Sequence, residues 1–344
     1  MKLVLQDGTV YEGQSFGADV NVAGEVVFAT GMTGYVEAFS DPSFAGQIVV
    51  CTYPLIGNYG VPSPEKFESH KMQIAGLVVA NYSGTYSHHD AVESLAQWCI
   101  ISRVPAIQGV DTRALTKKLR EKGALLGQLL SAGDPGAFID PNEENLVAKV
   151  SSKEVHRYGA GSTKIVLVDC GAKENIVRSL VRSGTTIIRV PWNFDFSAME
   201  YDALVLSNGP GDPTMCGPTV EHIKQAMAAN KPILGVCLGN QLLALAAGAK
   251  TYKLPYGHRG QNVPCVDTET DRCYITSQNH GFAVDESTLP SQWKPWFKNA
   301  NDGSNEGIRH ASKPWRSVQF HPEAAPGPTD TAWIFDEFID SLRN

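Results

Sequence analysis

Apolar residues in the second half of the chain recur in two rhythms. Short apolar runs, Ile165–Val168, Ala203–Leu206 and Ile233–Val236, and the strand-like stretch Thr186–Val190, which Arg189 interrupts, alternate with stretches whose apolar positions return every three or four residues. The runs predict strands buried on both faces. The stretches predict helices: Lys173–Ser183, with Ile176, Val177, Leu180 and Val181 on one side and Gly184 beyond; Thr219–Ala229; and Leu242–Ala247, stopped by Gly248. This alternation predicts an α/β fold, a mostly parallel sheet with helices on both faces. Three further strands, Cys273–Thr276, Phe282–Val284 and Ser317–Phe320, are expected after it. A final helix, Trp333–Leu342, would bury Ile334, Phe335, Phe338 and Ile339.

The first part of the chain is patterned differently. Lys2–Leu5 and Val10-Tyr11 flank Asp7-Gly8, a hairpin signal. Glu25–Phe28, Ile48–Cys51 and Gly76–Ala80 read as strands, separated by the turn-rich stretches Thr30–Tyr35, Asp41–Phe44 and Tyr53–Gly60. Asp90 with Glu93 predicts the cap of a helix carrying Val92, Leu95, Ala96 and Cys99. A second helix should run from about Asp111 to Gly123 with Leu115 and Leu119 on one face. Strands and then helices predict a smaller α+β domain over residues 1–150. Residues 151–163 lack apolar periodicity and read as a linker, which leaves 164–344 as the second domain.

Composition narrows the classes. The 344 residues suit about two domains. A net charge of −7 argues against non-specific nucleic-acid binding. Seven cysteines, an odd number without a Cys-x-x-Cys pair, suit neither a disulfide framework nor a zinc knuckle and point to a reducing compartment. No segment approaches the roughly 18 apolar residues of a membrane helix, and the apolar run at the N-terminus is too short for a signal peptide. A cytoplasmic protein with no nucleic-acid or membrane partner is expected. His88-His89 is the most tempting metal pair, but neighbours share a face in neither helix nor strand, so no metal site is expected.

The chemistry concentrates at Gly235-Val236-Cys237-Leu238-Gly239. An apolar strand enters a Gly-x-Cys-x-Gly turn and a helix leaves it, the form of a nucleophile elbow with a thiol at its apex. A side chain on either glycine would collide with neighbouring chain. Backbone N–H groups at the helix start can stabilise a thiolate or an oxyanion. A nucleophilic cysteine needs a base, and the base an orienting acceptor. His321 ends a strand and Glu323 follows two residues on, across Pro322, so Cys237, His321 and Glu323 form a candidate triad. The loop Asn208–Pro213 also follows a strand and should share the elbow's edge of the sheet. It lacks the Gly-Lys-Ser/Thr ending of a phosphate loop, so no ATP binding by this chain alone is expected.

With the elbow, Ser207–Pro213, Ser277–Phe282 and Gln319–Glu323, the second part resembles a class I glutamine amidotransferase. Phe28–Tyr35, Asp41-Pro42-Ser43, Thr52–Gly60 and Gly109–Arg113 resemble one branch of that family, the small, glutamine-hydrolysing subunit of carbamoyl phosphate synthetase. The resemblance covers nearly the whole chain. It implies attack of Cys237 on the glutamine side-chain amide, an oxyanion held by backbone N–H groups of Leu238 and the Gly209 loop, and His321 as proton carrier. It places glutamine contacts at Ser43, Gly209, Gly211, Leu238, Gln241, Asn279, Gly281 and Phe282. Ser43 would make the glutamine site draw on both domains. Ammonia would pass to a large synthetase subunit, which uses ATP, Mg2+ and bicarbonate; this chain itself would need no cofactor. The family usually has His after the second elbow glycine where this chain has Asn240. Asn240 can still donate and accept hydrogen bonds but cannot carry charge near pH 7, so weakened turnover or altered coupling to the partner is the consequence to examine. The competing readings are an amidotransferase of another synthetase and a non-catalytic homologue.

Overall fold

The computed structural model of the chain describes residues 1–182 and 184–343. Ser183, the expected end of a helix, lies outside the described residues. Two compact units result: 1–143 with 255–260, and 144–254 with 261–344.

The first unit is built on an eight-stranded mixed sheet. The hairpin forms as its sequence requires, with Leu3 opposite Tyr11 and Gly8 at φ 83° in the turn. Val22–Ala29, Gln47–Cys51, Gly76–Val78 and Ala106–Gln108 run parallel in its centre. Successive residues feed opposite faces: Val27, Val49 and Leu77 pack with Phe39, Leu95 and Trp98, whereas Val26, Ile48 and Val78 pack with Leu115 and Leu119. One expectation fails. Ala91–Glu93 is a short strand against Val61–Pro62, and the helix starts later, at Leu95. Ser94 and Gln97 form a reciprocal capping box, which satisfies two helix-end N–H groups and displaces the Asp90–Glu93 alternative.

The second unit is built on a ten-stranded sheet. Its parallel part runs Thr185–Pro191, Thr163–Asp169, Ala203–Leu206, Ile233–Val236, Trp315–Val318. Alternation again divides the core. Val166, Leu204, Leu206 and Ile233 meet the helices Gly217–Ala228 and Leu238–Ala247 on one face. Ile165, Leu167, Leu234 and Val236 meet Glu174–Leu180 and Trp333–Ser341 on the other. The expected final helix buries Ile334, Phe335, Phe338 and Ile339. The stretch read as a linker is not one: His156–Gly159 pairs antiparallel with Thr186–Arg189 at the sheet edge. Its backbone hydrogen bonds supply what its sparse apolar residues do not. Cys273–Asp285 is one continuous strand rather than two. Trp293–Asn299 and Asn305–His310 extend the sheet antiparallel beyond Trp315–Val318.

Candidate active site

The strand Ile233–Val236 delivers Cys237 to the carboxyl edge of the sheet. Its N–H donates to Val318 O at 2.8 Å, and the chain turns into the helix Leu238–Ala247. Cys237 sits at φ 56°, ψ −106°, a region that costs a side-chain-bearing residue of order 1–3 kcal/mol. The flanking glycines are required by contact. A Cβ on Gly235 would lie 2.5 Å from Gly239 O, and one on Gly239 would lie 2.3 Å from Leu206 O. Cys237 is only 1% exposed, and its thiol donates to Asn279 O at 3.6 Å.

The next strand in the sheet leads to the candidate base. Trp315–Val318 runs parallel to Ile233–Val236, and His321 follows it, its N–H bonded to Ser277 O at 2.9 Å. His321 Nδ1 donates to Glu323 Oε1 at 2.6 Å, which fixes Nε2 as the atom that can take a proton. Nε2 is buried. Burial alone would lower the imidazole pKa; the Glu323 carboxylate and then the Cys237 sulfur outweigh it and raise it. His321 is therefore disposed to hold a proton taken from the thiol.

A fourth member was missed from sequence. Lys173 is 2% exposed, and its Nζ lies 3.1 Å from Glu323 Oε1 and donates to Ala324 O. Burial would raise the Glu323 pKa; the Lys173 ammonium and then His321 reverse this and hold it well below the carboxylate range. The loop that carries Lys173 is pinned from several sides. Asp169 Oδ1 accepts from the N–H of Gly171 and Ala172, its Oδ2 from Arg189 Nε, and Asn208 Oδ1 accepts from Lys173 N–H. A sequence signal existed: a lysine just before a helix opposes the macrodipole there, and this one lies in the short turn between a buried strand and that helix.

The expected glutamine contacts divide between the units. Leu238, Gln241, Asn279, Gly281 and Phe282 belong to the elbow helix and the strand Cys273–Asp285. Gly209 follows Ala203–Leu206, where a Cβ would lie 2.1 Å from Cys170 O. Gly211 adopts φ 82° against Leu146. Ser43 lies in the first unit, buried in the turn Pro42–Phe44, its N–H donating to Asp41 Oδ1 at 2.8 Å. Asn240 is fully buried, donating to Gln319 Oε1 at 3.1 Å and accepting from Ser317 Oγ at 2.8 Å. Those partners make it part of the scaffold beneath the elbow.

At His88-His89 the argument from shared faces does not hold in a turn: ligand atoms of His88, His89 and Asp90 fall within 4.8 Å of one another. Lys66 already occupies Asp90 at 2.6 Å, so a cation there would meet a like charge. Among the described residues no helix is long and apolar enough to cross a membrane.

Comparison with known proteins agrees with this geometry. Residues 166–341 match the family Glutamine amidotransferase class-I. Residues 3–129 match Carbamoyl-phosphate synthase small chain, CPSase domain. The chain is 50% identical to the carbamoyl phosphate synthase arginine-specific small chain of Neosartorya fischeri, over 98% of this chain and 79% of that one. It is 49% identical to the multifunctional protein pyr-3 of Neurospora crassa and 49% identical to the mitochondrial carbamoyl-phosphate synthase [ammonia] of Aquarana catesbeiana, over 99% of this chain in each case. It spans only 21% and 24% of the length of those two proteins. On these matches the chain belongs to the carbamoyl-phosphate synthase small-chain family, with a class I glutamine amidotransferase domain as its second part.

Proposed function

We propose that the chain hydrolyses glutamine to glutamate and ammonia and delivers the ammonia to a large synthetase subunit that makes carbamoyl phosphate. The observation that carries this is the buried Cys237 on a strained elbow beside a His321–Glu323 pair at 2.6 Å. Cys237 Sγ attacks the glutamine Cδ as His321 Nε2 takes the thiol proton. N–H groups of Leu238 and Gly209 receive the oxyanion. His321 returns the proton to the departing nitrogen, ammonia leaves, and a glutamyl thioester remains. Water then attacks the thioester, His321 takes its proton and gives it back to the sulfur, and glutamate is released. Glu323 holds the imidazole in the required tautomer.

The contacts at Ser43, Gly209, Gly211, Leu238, Gln241, Asn279, Gly281 and Phe282 complete the proposal for glutamine. The first unit is assigned to partner binding, in keeping with its match to the small-chain family. ATP, Mg2+ and bicarbonate belong to the large subunit, the chain itself needs no cofactor, and the setting is cytoplasmic. Relatives named for arginine-specific synthesis and for multifunctional proteins leave the destination of the product to experiment.

The test is glutamate release from glutamine, with and without a large synthetase subunit. Thiol-dependent release that rises with the partner and vanishes in Cys237→Ser is expected. No release in the presence of a bound partner would reject the reading.

A further inference from the structure

Gln319, two residues before His321, is fully buried, and its side chain is the junction of a polar network. Its Oε1 accepts from Asn240 Nδ2 and from Gln241 Nε2, each at 3.1 Å. Its own N–H is fixed by Glu306 O at 2.8 Å. Asn240 is anchored in turn by Ser317 Oγ at 2.8 Å.

The sense of every bond follows from one group that can only accept. Phe282 O lies 2.8 Å from the Gln241 side chain, so that atom must be the amide nitrogen. The same nitrogen faces Gln319, which must therefore present its oxygen. Asn240 then presents its nitrogen to that oxygen and its oxygen to the Ser317 hydroxyl. This orientation leaves Gln319 Nε2 buried with no partner among the described residues. An unpartnered buried donor is costly, so the orientation is held against its own penalty. It also leaves Gln241 Oε1 as the polar atom of that side chain without a partner among the described residues.

We propose that Gln319 is a positioning residue: by gathering Asn240 and Gln241 on one oxygen, it holds the Gln241 amide with Oε1 as the acceptor for a donor group of glutamine. This rests on the glutaminase reading above and adds the residue that sets the polarity of one substrate contact. Asn240 then serves as the second arm of the clamp, a task for which an uncharged amide is sufficient.

The experiment is steady-state glutamine hydrolysis by the full chain with its synthetase partner. The parent is compared with Gln319→Met, Gln241→Met and the double variant, with thermal melts of each. Gln319→Met keeps the volume and loses the acceptor. It should raise KM for glutamine about tenfold, the worth of a lost orienting hydrogen bond to a buried group, with kcat nearly unchanged. The double variant should be no worse than Gln241→Met alone, because Gln319 acts through Gln241. Gln319→Glu retains an acceptor oxygen and should restore most of the affinity, which keeps the test sharp if the Met variant melts early. KM effects that multiply in the double variant, or a fall in kcat at constant KM, would overturn the proposal. Silence of the parent chain would remove the glutaminase reading itself and this inference with it.

Discussion

Cys237 occupies a backbone conformation that a residue with a Cβ resists. Glycine in its place should relieve that strain, and alanine should not. Of two inactive variants, Cys237→Gly should therefore be more stable than Cys237→Ala by about 1–2 kcal/mol, against the usual penalty of glycine. Urea unfolding measures the difference, and the reverse order would mean that the elbow relaxes when the thiol is lost. The buried Lys173–Glu323 pair makes a second prediction. Lys173→Met strands a carboxylate away from water and should cost about 3–5 kcal/mol; a cost near zero would show that Glu323 does not rely on Lys173. A third concerns acid. The Glu323 pKa falls from 4.5 free to about 2 folded. A depressed carboxylate adds stability above its unfolded pKa and loses it as pH falls through the folded one. The stability gap between parent and Glu323→Gln should narrow from about pH 5 to about pH 2; a flat gap would contradict an ionised Glu323. Asn240→His is the fourth. Asn240 bonds Ser317 and Gln319, so restoring histidine should not yield the roughly 100-fold or greater gain in kcat that a general base supplies. Such a gain would show that the scaffold assignment of Asn240 is wrong.

Elements were legible where the sequence states both their start and their burial. The strands Ala203–Leu206 and Ile233–Val236 were readable because both faces are buried and the apolar run is unbroken. The elbow was readable because two glycines flank the thiol, and their contacts bear this out. Gly239→Ala would drive a methyl into Leu206 O, which lies 2.3 Å from the site of a Cβ. It should lower the melting temperature by several degrees and abolish activity; a tolerated alanine would refute the close approach. The helix at Leu95 was misplaced because two capping signals compete, and only the one whose side chain reaches back to the cap N–H wins. Ser277–Gly281 falls between the two strands expected from sequence, and its Asn and Gly disfavour sheet. Tertiary pairing overrides that preference and keeps Cys273–Asp285 continuous. Lys173 escaped because its role depends on Glu323, 150 residues away in the chain. No local pattern encodes a partner so distant.

At the scale of the molecule, the strand Lys250–Asp267 is not the property of one unit. Its residues 255–260 belong with the first. There Pro255 O accepts the N–H of Ala124, Arg259 O accepts the N–H of Thr30, and Tyr256 rests against Phe28. On a ribosome adding about 5–20 residues per second, the segment that completes the first unit follows residue 143 by on the order of ten seconds. By then the elbow and its cysteine have been translated. The unit that is begun first therefore cannot be finished until the elbow of the other has been made, and a gene cut after codon 143 would encode a piece permanently short of residues 255–260.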